Sequence, residues 1–380
     1  MKRKTKYLLI GLLIIFFNLF LLTSCEQDNH YSANSHSKIN RINNLKKAPA
    51  PSFFREYQLP FSVSTSEFTK AIGWLNNDEI VYMTNSPDST KLYRYHLKMG
   101  MNQLLYKSQF PIVSAMISPD RKNILIHTSP TTYEGNVTVL SIEGENLYSE
   151  KFPSVEIVIE WNQNDPNQLL ITTFKEDWSF TNYFLYLDKK ELRQSSLRKP
   201  FAKWTGKDEL AFLDWDENDI SLVAPLVQIN GKNDEEILEE ELIHFDTFFD
   251  KKFTVQINQA EQQAIYKIDD DRNNLHNSYK VPVLTNYSGW LIPYYGLIDD
   301  QQHFLTMLPL ESKEVDQYRE GFQLVSFDLT SNKTEVILDH TENVPFTCSP
   351  NGKLCLIGYQ LDQLLQLENH SLISLIRKSE

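Results

Sequence analysis

Ser118-Pro119-Asp120-Arg121-Lys122-Asn123, running straight into Ile124-Leu125-Ile126, decides how the rest of this chain is read. Proline presets φ for a turn, and the short side chains of serine, aspartate and asparagine bond their own backbone. A run of branched apolar residues directly behind such a turn reads as the β-strand that the turn feeds. Looser copies recur. Gly73-Trp74-Leu75-Asn76-Asn77-Asp78 leads into Glu79-Ile80-Val81-Tyr82, and Trp161-Asn162-Gln163-Asn164-Asp165-Pro166 into Leu169-Leu170-Ile171. Trp204-Thr205-Gly206-Lys207-Asp208 leads into Leu210-Ala211-Phe212, and Ser349-Pro350-Asn351-Gly352 into Leu354-Cys355-Leu356-Ile357. Weaker copies start near Asn258 and Asp299.

The early copies lie about 43 or 44 residues apart, a period that in an all-strand sequence belongs to a β-propeller. Each unit also carries a second pair of strands. Lys91 to His96 and Gln103 to Tyr106 complete the first, and Val137 to Leu140 and Leu147-Tyr148 the second. Four short alternating runs per unit make one blade. The expected fold is therefore all-β, a propeller of four-stranded blades over residues 53–380. Six blades are expected, with seven as the alternative, because the copy near Asn258 is poor. Residues from about 231 to 251 read as a helical insertion. Asn233-Asp234-Glu235-Glu236 has the form of a capping box, and Ile237, Leu238, Leu242, Phe245, Phe248 and Phe249 follow at near-helical spacing.

The N-terminus has a different texture. Lys2, Arg3, Lys4 and Lys6 precede an almost wholly apolar stretch, Tyr7 to Leu22, and then Leu22-Thr23-Ser24-Cys25. At about 1.5 Å per residue this stretch is about 24 Å long, short of the roughly 30 Å of a bilayer core, so residues 1–24 read as a signal peptide. Leu-Thr-Ser-Cys resembles the lipobox of bacterial lipoproteins, which implies cleavage before Cys25 and acylation of its thiol. Residues 25–52 are polar, end in Ala48-Pro49-Ala50-Pro51, and read as a disordered tether spanning on the order of 30 Å. The expected location is the outer face of the cell membrane, held by lipid.

Charge narrows the partners. Without the four basic residues of the leader, 33 Lys+Arg stand against 50 Asp+Glu, a formal charge of −17. A field of that sign repels nucleic acid and anionic headgroups, so nucleic acid is excluded and membrane attachment falls to the lipid. Cys348 and Cys355 flank the last turn. With Pro350-Asn351 at the turn centre they are diagonal neighbours, farther apart than a disulfide usually spans, so two free thiols are expected and a bridge is the alternative.

Ser118-Pro119-Asp120-Arg121-Lys122 and Ser349-Pro350-Asn351-Gly352-Lys353 resemble the Ser-Pro-Asp-Gly-Lys turn of TolB-type propeller repeats. From leader to last repeat the chain is similar to the YqgU-like lipoproteins of Bacillus-type bacteria. That resemblance implies a six-bladed propeller and brings no biochemical activity with it.

Chemistry is sparse. There is no Gly-x-Ser-x-Gly elbow, no His-Glu-x-x-His and no Cys-x-x-Cys, the nine histidines are scattered, and no cofactor is expected. Asp214-Trp215-Asp216-Glu217-Asn218-Asp219 begins like a calcium loop, which makes Asp214, Asp216 and Asn218 a weak metal set. Its sixth position is Asp219 rather than glycine and its twelfth is Pro225 rather than glutamate. Asp269-Asp270-Asp271 and Glu239-Glu240-Glu241 read as solvated charge runs. The turns between first and second strands are short. The long connections, read as Ser129–Gly135, Lys175–Thr181, Asp269–Tyr279 and Pro309–Gly321, should gather at the opposite end, where binding residues concentrate. They carry Tyr133, Trp178, Tyr318 and Arg319, the candidate contacts to a protein or cell-envelope partner. Two functions remain. One is a non-catalytic binding or scaffold module, which an aromatic, loop-built end face would favour. The other is an enzyme, a lyase or hydrolase, which charged groups with shifted pKa around the channel would favour.

Overall fold

A computed structural model describes residues 56–63, 67–216, 221–232, 234–270, 273–298 and 302–377. The leader, Cys25 and the tether through residue 52 lie outside the described residues, as do Asn218 and Asn233. The described residues form seven four-stranded antiparallel sheets, each built from strands in chain order. Blade I is Phe68–Trp74, Glu79–Ser86, Ser89–His96 and Met101–Ser108. Blade II is Ile112–Ile117, Asn123–Thr131, Glu134–Ser141 and Asn146–Pro153. Blade III is Glu156–Trp161, Gln168–Phe174, Phe180–Tyr186 and Glu191–Gln194. Blade IV is Lys203–Trp204, Leu210–Leu213, Ala224–Ile229 and Glu235–Leu242. Blade V is His244–Phe248, Lys251–Asn258, Gln263–Asp270 and Leu275–Pro282. Blade VI is Tyr295–Leu297, His303–Pro309, Phe322–Asp328 and Thr334–Thr341, and blade VII is Phe346–Cys348, Leu354–Ile357, Gln363–Gln366 and Ser371–Ser374. A small sheet of Leu284–Asn286, Gly289–Leu291 and Lys313–Glu314 sits beside blade VI.

The apolar runs form the second strands because each blade is sandwiched between two others. Ile124, Leu125 and Ile126 are all fully buried, so both faces of that strand are core. The core is correspondingly divided. Seven hydrophobic clusters fill the seven gaps, one between each pair of neighbouring blades around the ring. The gap between blades VII and I closes the ring. There the Trp74 indole N–H donates to the Thr347 carbonyl (2.9 Å), and Phe61 pairs in parallel with Ile376.

The opening turn is built as its residues dictate. Ser118 is buried and its Oγ accepts from the backbone N–H of Lys122 (3.1 Å) and Asn123 (2.9 Å) while donating to Asp120 (2.7 Å). In blade III, Asn162 does the same work. Its side-chain oxygen accepts from Asn164 and Asp165, and its amide reaches the Lys207 carbonyl of blade IV.

The all-β propeller of four-stranded blades is as expected, and the four-stranded sheets among the described residues number seven, the count held as the alternative. Three expectations are corrected. The segment read as a helical insertion is two strands, the outermost of blade IV and the innermost of blade V. This is also why the copy near Asn258 looked poor: Asn258 to Gln263 joins the second and third strands of blade V, and the first turn of that blade is Phe249-Asp250. Asp269–Tyr279 is consequently a third-to-fourth connection, at the short-turn end. Lastly, Cys348 and Cys355 form a disulfide. The turn holds four residues, Pro350 to Lys353, with Ser349 paired to Leu354, so the two cysteines face each other directly with Cα atoms 3.9 Å apart.

Candidate functional site

The inner strands of all seven blades line an axial cavity of about 540 Å³, within the range of small-molecule sites. Its lining comes from the last residues of each inner strand and the turns that follow, including Ser118, Pro119, Arg121, Gln163 and Phe249. The cavity therefore sits at the short-turn end. Gln163 straps its rim: its amide donates to the Thr247 carbonyl (3.1 Å) and its oxygen accepts from the Phe249 N–H (2.9 Å). The strap reaches from blade III to blade V, past blade IV, whose inner strand is only Lys203–Trp204.

From the cavity wall a chain of polar groups runs back across four blades. Lys203 Nζ lies 2.9 Å from Asp246 and 3.7 Å from Glu160. The Tyr295 hydroxyl donates to Asp246 (2.8 Å), which leaves its oxygen to accept from His244 Nε2 at 2.5 Å. Burial pushes the Glu160 carboxyl up, to about 7; Lys203 pulls against this and Asp246 adds to it. Burial opposes charge on Lys203 as well, but Asp246 and Glu160 outweigh it and hold the ammonium above the ordinary lysine value. Burial lowers His244, and burial followed by Asp246 raises Tyr295, so both stay neutral near pH 7. A smaller cavity of about 150 Å³, lined by Val158, Leu170, Thr172 and Phe201, meets the same Glu160–Lys203 pair.

The opposite end is different in kind. There the links between blades and the second-to-third-strand turns expose Phe110, Tyr133, Trp178, Phe201, Trp215, Tyr294 and Tyr359. Trp178 is 66% and Phe201 59% exposed, and both sit in the left-handed backbone region, at φ 61° and 59°. Between them lies buried Phe174, edge-on to Trp178 (6.0 Å) and stacked on Phe201 (5.4 Å).

The residues singled out in the sequence part company here. Tyr133 stands exposed at the tip of the blade II hairpin, its carbonyl tied to the Ser154 N–H (3.0 Å). Trp178 caps the Lys175–Ser179 turn. Tyr318 is buried; its hydroxyl accepts from the Leu310 N–H (2.8 Å) and donates to the Gly321 carbonyl, so it anchors the loop. The Arg319 guanidinium donates to the carbonyls of Tyr318 and Asp316, inside the same loop. Asp214 is ion-paired with Lys199 rather than open to a cation. Asp216 lies beside it and Asn218 is outside the described residues; among the described residues no three His, Cys, Asp or Glu are grouped to hold a metal. Asp270, read as part of a solvated run, is buried and paired with Lys251 (2.9 Å). Glu160, Lys203 and Asp246 were missed. Their trace in the sequence is a charged residue just before the tryptophan that ends an inner strand, Glu160-Trp161 and Lys203-Trp204, with opposite signs in adjacent blades.

Known proteins place these features in context. A family model described as "YqgU-like 6-bladed beta propeller domain" matches residues 96–358. That span takes in blades II to VI whole, the last strand of blade I and the first two of blade VII. The chain is 27% identical to "Uncharacterized lipoprotein YqgU" of Bacillus subtilis over 362 residues, 94% of each chain. Among solved structures, the uncharacterised protein lmo1340 of Listeria monocytogenes superposes with a TM-score of 0.78 at 20% identity, over 85% of this chain and 98% of that one. The β-propeller domain of the Trilobed protease of Pyrococcus furiosus gives 0.57 at 13% identity, over 83% and 99%. At those identities the two structures share the fold alone.

Proposed function

Because this chain belongs to the YqgU-like β-propeller family, we propose that it is a lipid-anchored, non-catalytic binding module whose long-loop end docks a protein outside the cytoplasmic membrane. The anchor is Cys25, supported by the leader and lipobox and by the lipoprotein name of the Bacillus subtilis relative.

One observation carries the docking face: Trp178 and Phe201 are exposed aromatics held in left-handed backbone. That conformation costs a side-chain-bearing residue about 1–2 kcal/mol, and glycine or asparagine would relax it. Exposing the rings adds a further cost. Strain of this kind persists where surrounding structure enforces it, and it concentrates at functional positions. Rigid exposed tryptophan next to a second ring is the composition of a protein-binding hot spot. The acidic surface disfavours an anionic lipid headgroup as the occupant of this face.

The enzyme reading has one observation of its own, the Glu160 carboxyl near 7, the range of a general acid or base. Against it, Asp246, Tyr295 and His244 are spent on one another.

A single experiment separates the readings. The full chain, with Cys25→Ser, Trp178→Ser/Phe201→Ser or Glu160→Gln, is expressed in its own cells, fractionated and chemically crosslinked. Cys25→Ser should leave the membrane fraction. The aromatic double variant should stay there and lose its crosslinked partner, while Glu160→Gln keeps it. Partner retention in the aromatic variant, with loss of the cellular phenotype in Glu160→Gln, would support the enzyme and overturn the docking face.

A further inference from the structure

We infer that the Cys348–Cys355 bridge is a thiol-exchange site of the axial cavity: a small thiol entering at the short-turn end attacks Cys348 Sγ and is held there as a mixed disulfide. The inference is independent of the docking face, which lies at the other end of the propeller.

The repeat itself shows that the fold needs no bridge at this place. Cys348 is the last residue of an inner strand, and Cys355 is its partner on the second strand. Blades I, III and IV put a tryptophan there, opposite Ile80, Leu169 and Leu210. Blade II pairs Ile117 with Ile124, and blade VI pairs Leu297 with Phe304. In each of these, as in blade VII, the next residue's N–H bonds the carbonyl just before the second-strand partner. An apolar pair is enough to close those hairpins. The turn of blade VII is as complete as that of blade II, since Ser349 Oγ accepts from the Leu354 N–H (3.1 Å) and donates to Asn351 (2.9 Å). A bridge across so short a loop also adds least to stability. Two cysteines here bring chemistry that packing does not call for.

The position of the bridge says which sulfur reacts. Cys348 is partly exposed and stands on the cavity wall. Cys355 is fully buried, in the apolar cluster that holds Met307, Leu338 and Leu365. The two sulfurs are therefore not equivalent. Exchange at a disulfide depends on access to the sulfur attacked, and a thiolate inside a cavity of about 540 Å³ meets Cys348 first.

The step balances with the thiol as sole co-reactant. The entering thiolate forms a new S–S bond to Cys348 Sγ as the bond to Cys355 breaks. The entering sulfur is oxidised, and the Cys355 sulfur is reduced and leaves with the electron pair. It then takes up the proton that the entering thiol released. Apolar surroundings keep Cys355 as the neutral thiol, in place to attack again and expel the guest. The adduct is thus reversible in the native chain, and removal of Cys355 should trap it.

The test uses the full chain in detergent. The single variants Cys355→Ala and Cys348→Ala are treated with dipyridyl disulfide, an uncharged probe, so that the charges of the wall do not decide the result. The pyridylthio adduct is located by peptide mass mapping, which scores Cys25 apart. Cys348 in Cys355→Ala should react at least about tenfold faster than Cys355 in Cys348→Ala, as expected for a wall thiol against a buried one. In urea the two should react alike. In the unmutated chain, mercaptoethanol should open the bridge while the β-type circular dichroism is kept, and a folded protein carrying one surface thiol should not open it. Equal rates in the two folded variants, or opening of the native bridge only in urea, would overturn the inference. Equal opening by the protein thiol would place the reactive sulfur outside the cavity and overturn it as well.

Discussion

Arg121 and Gly352 occupy the same place in two copies of one turn. Each donates its backbone N–H to the carbonyl of the turn's serine, and each has a left-handed backbone, at φ 57° and 65°. Glycine takes that conformation freely and arginine does not, so blade II carries strain that blade VII avoids. The strained copy is the one that sets a guanidinium on the cavity rim. Glu160 shows the same trade in a titratable group. Its folded-state pKa lies above its ordinary value of 4.5, so the folded chain keeps a proton that the unfolded chain has released. Stability therefore falls as pH rises from about 4.5 to about 7 and is level beyond. Glu160→Gln should thus gain stability relative to wild type between pH 4.5 and pH 8, by on the order of 2 kcal/mol once partial exposure to channel water is allowed for. Urea unfolding at the two pH values measures this. A difference between the proteins that does not change with pH would show that Glu160 ionises normally.

At the scale of elements, the instructive case is Glu235–Leu242. Its glutamates and leucines favour a helix in isolation, yet it is the outermost strand of blade IV. Ladder pairing with Ala224–Ile229 and the fully buried Leu242 outweigh propensity there. Glu239 is no wet-face residue either. It accepts from Thr254 (3.0 Å) and pairs with Lys267, both of blade V. Deleting residues 233–249 should accordingly abolish folding, since it removes an outer strand of one blade and the inner strand of the next. A deletion protein with a cooperative thermal transition and β-type circular dichroism would contradict that placement. Other elements were legible from local chemistry alone. The serine turns and the apolar second strands were, because turn residues and double-sided burial leave marks in adjacent positions. The Cys348–Cys355 pairing was not, because it depends on a four-residue turn where the sequence also permits two.

At the scale of the molecule, the repeat gave the propeller but blurred the count, since blade V lacks the turn signature that marks blades I to IV. Blade IV's inner strand is two residues long, and the first turn of blade V, Phe249-Asp250, carries neither proline nor glycine. The sites were less legible still. Glu160, Lys203, Asp246, Tyr295 and His244 come from four blades and span more than a hundred residues of sequence; only closure of the ring brings them together. The exposure of Tyr133 and Trp178 was legible because tip loops are local. Tyr318 misled because burial of its ring is decided by the neighbouring Leu310 and Gly321. The resulting protein has two unlike ends: a polar, charged cavity within short turns, and a set of exposed aromatic rings on long loops.

The central claim is that the aromatic end docks a protein partner. It is tested most directly by placing a photo-crosslinking amino acid at Tyr133, at Tyr294, or at Val336 on the outer edge of blade VI, in the membrane-tethered chain in living cells. The account predicts one protein adduct of the same mass from Tyr133 and Tyr294 and none from Val336. Adducts from Val336 alone, or none from either end-face position while the chain remains folded in the membrane, would contradict it.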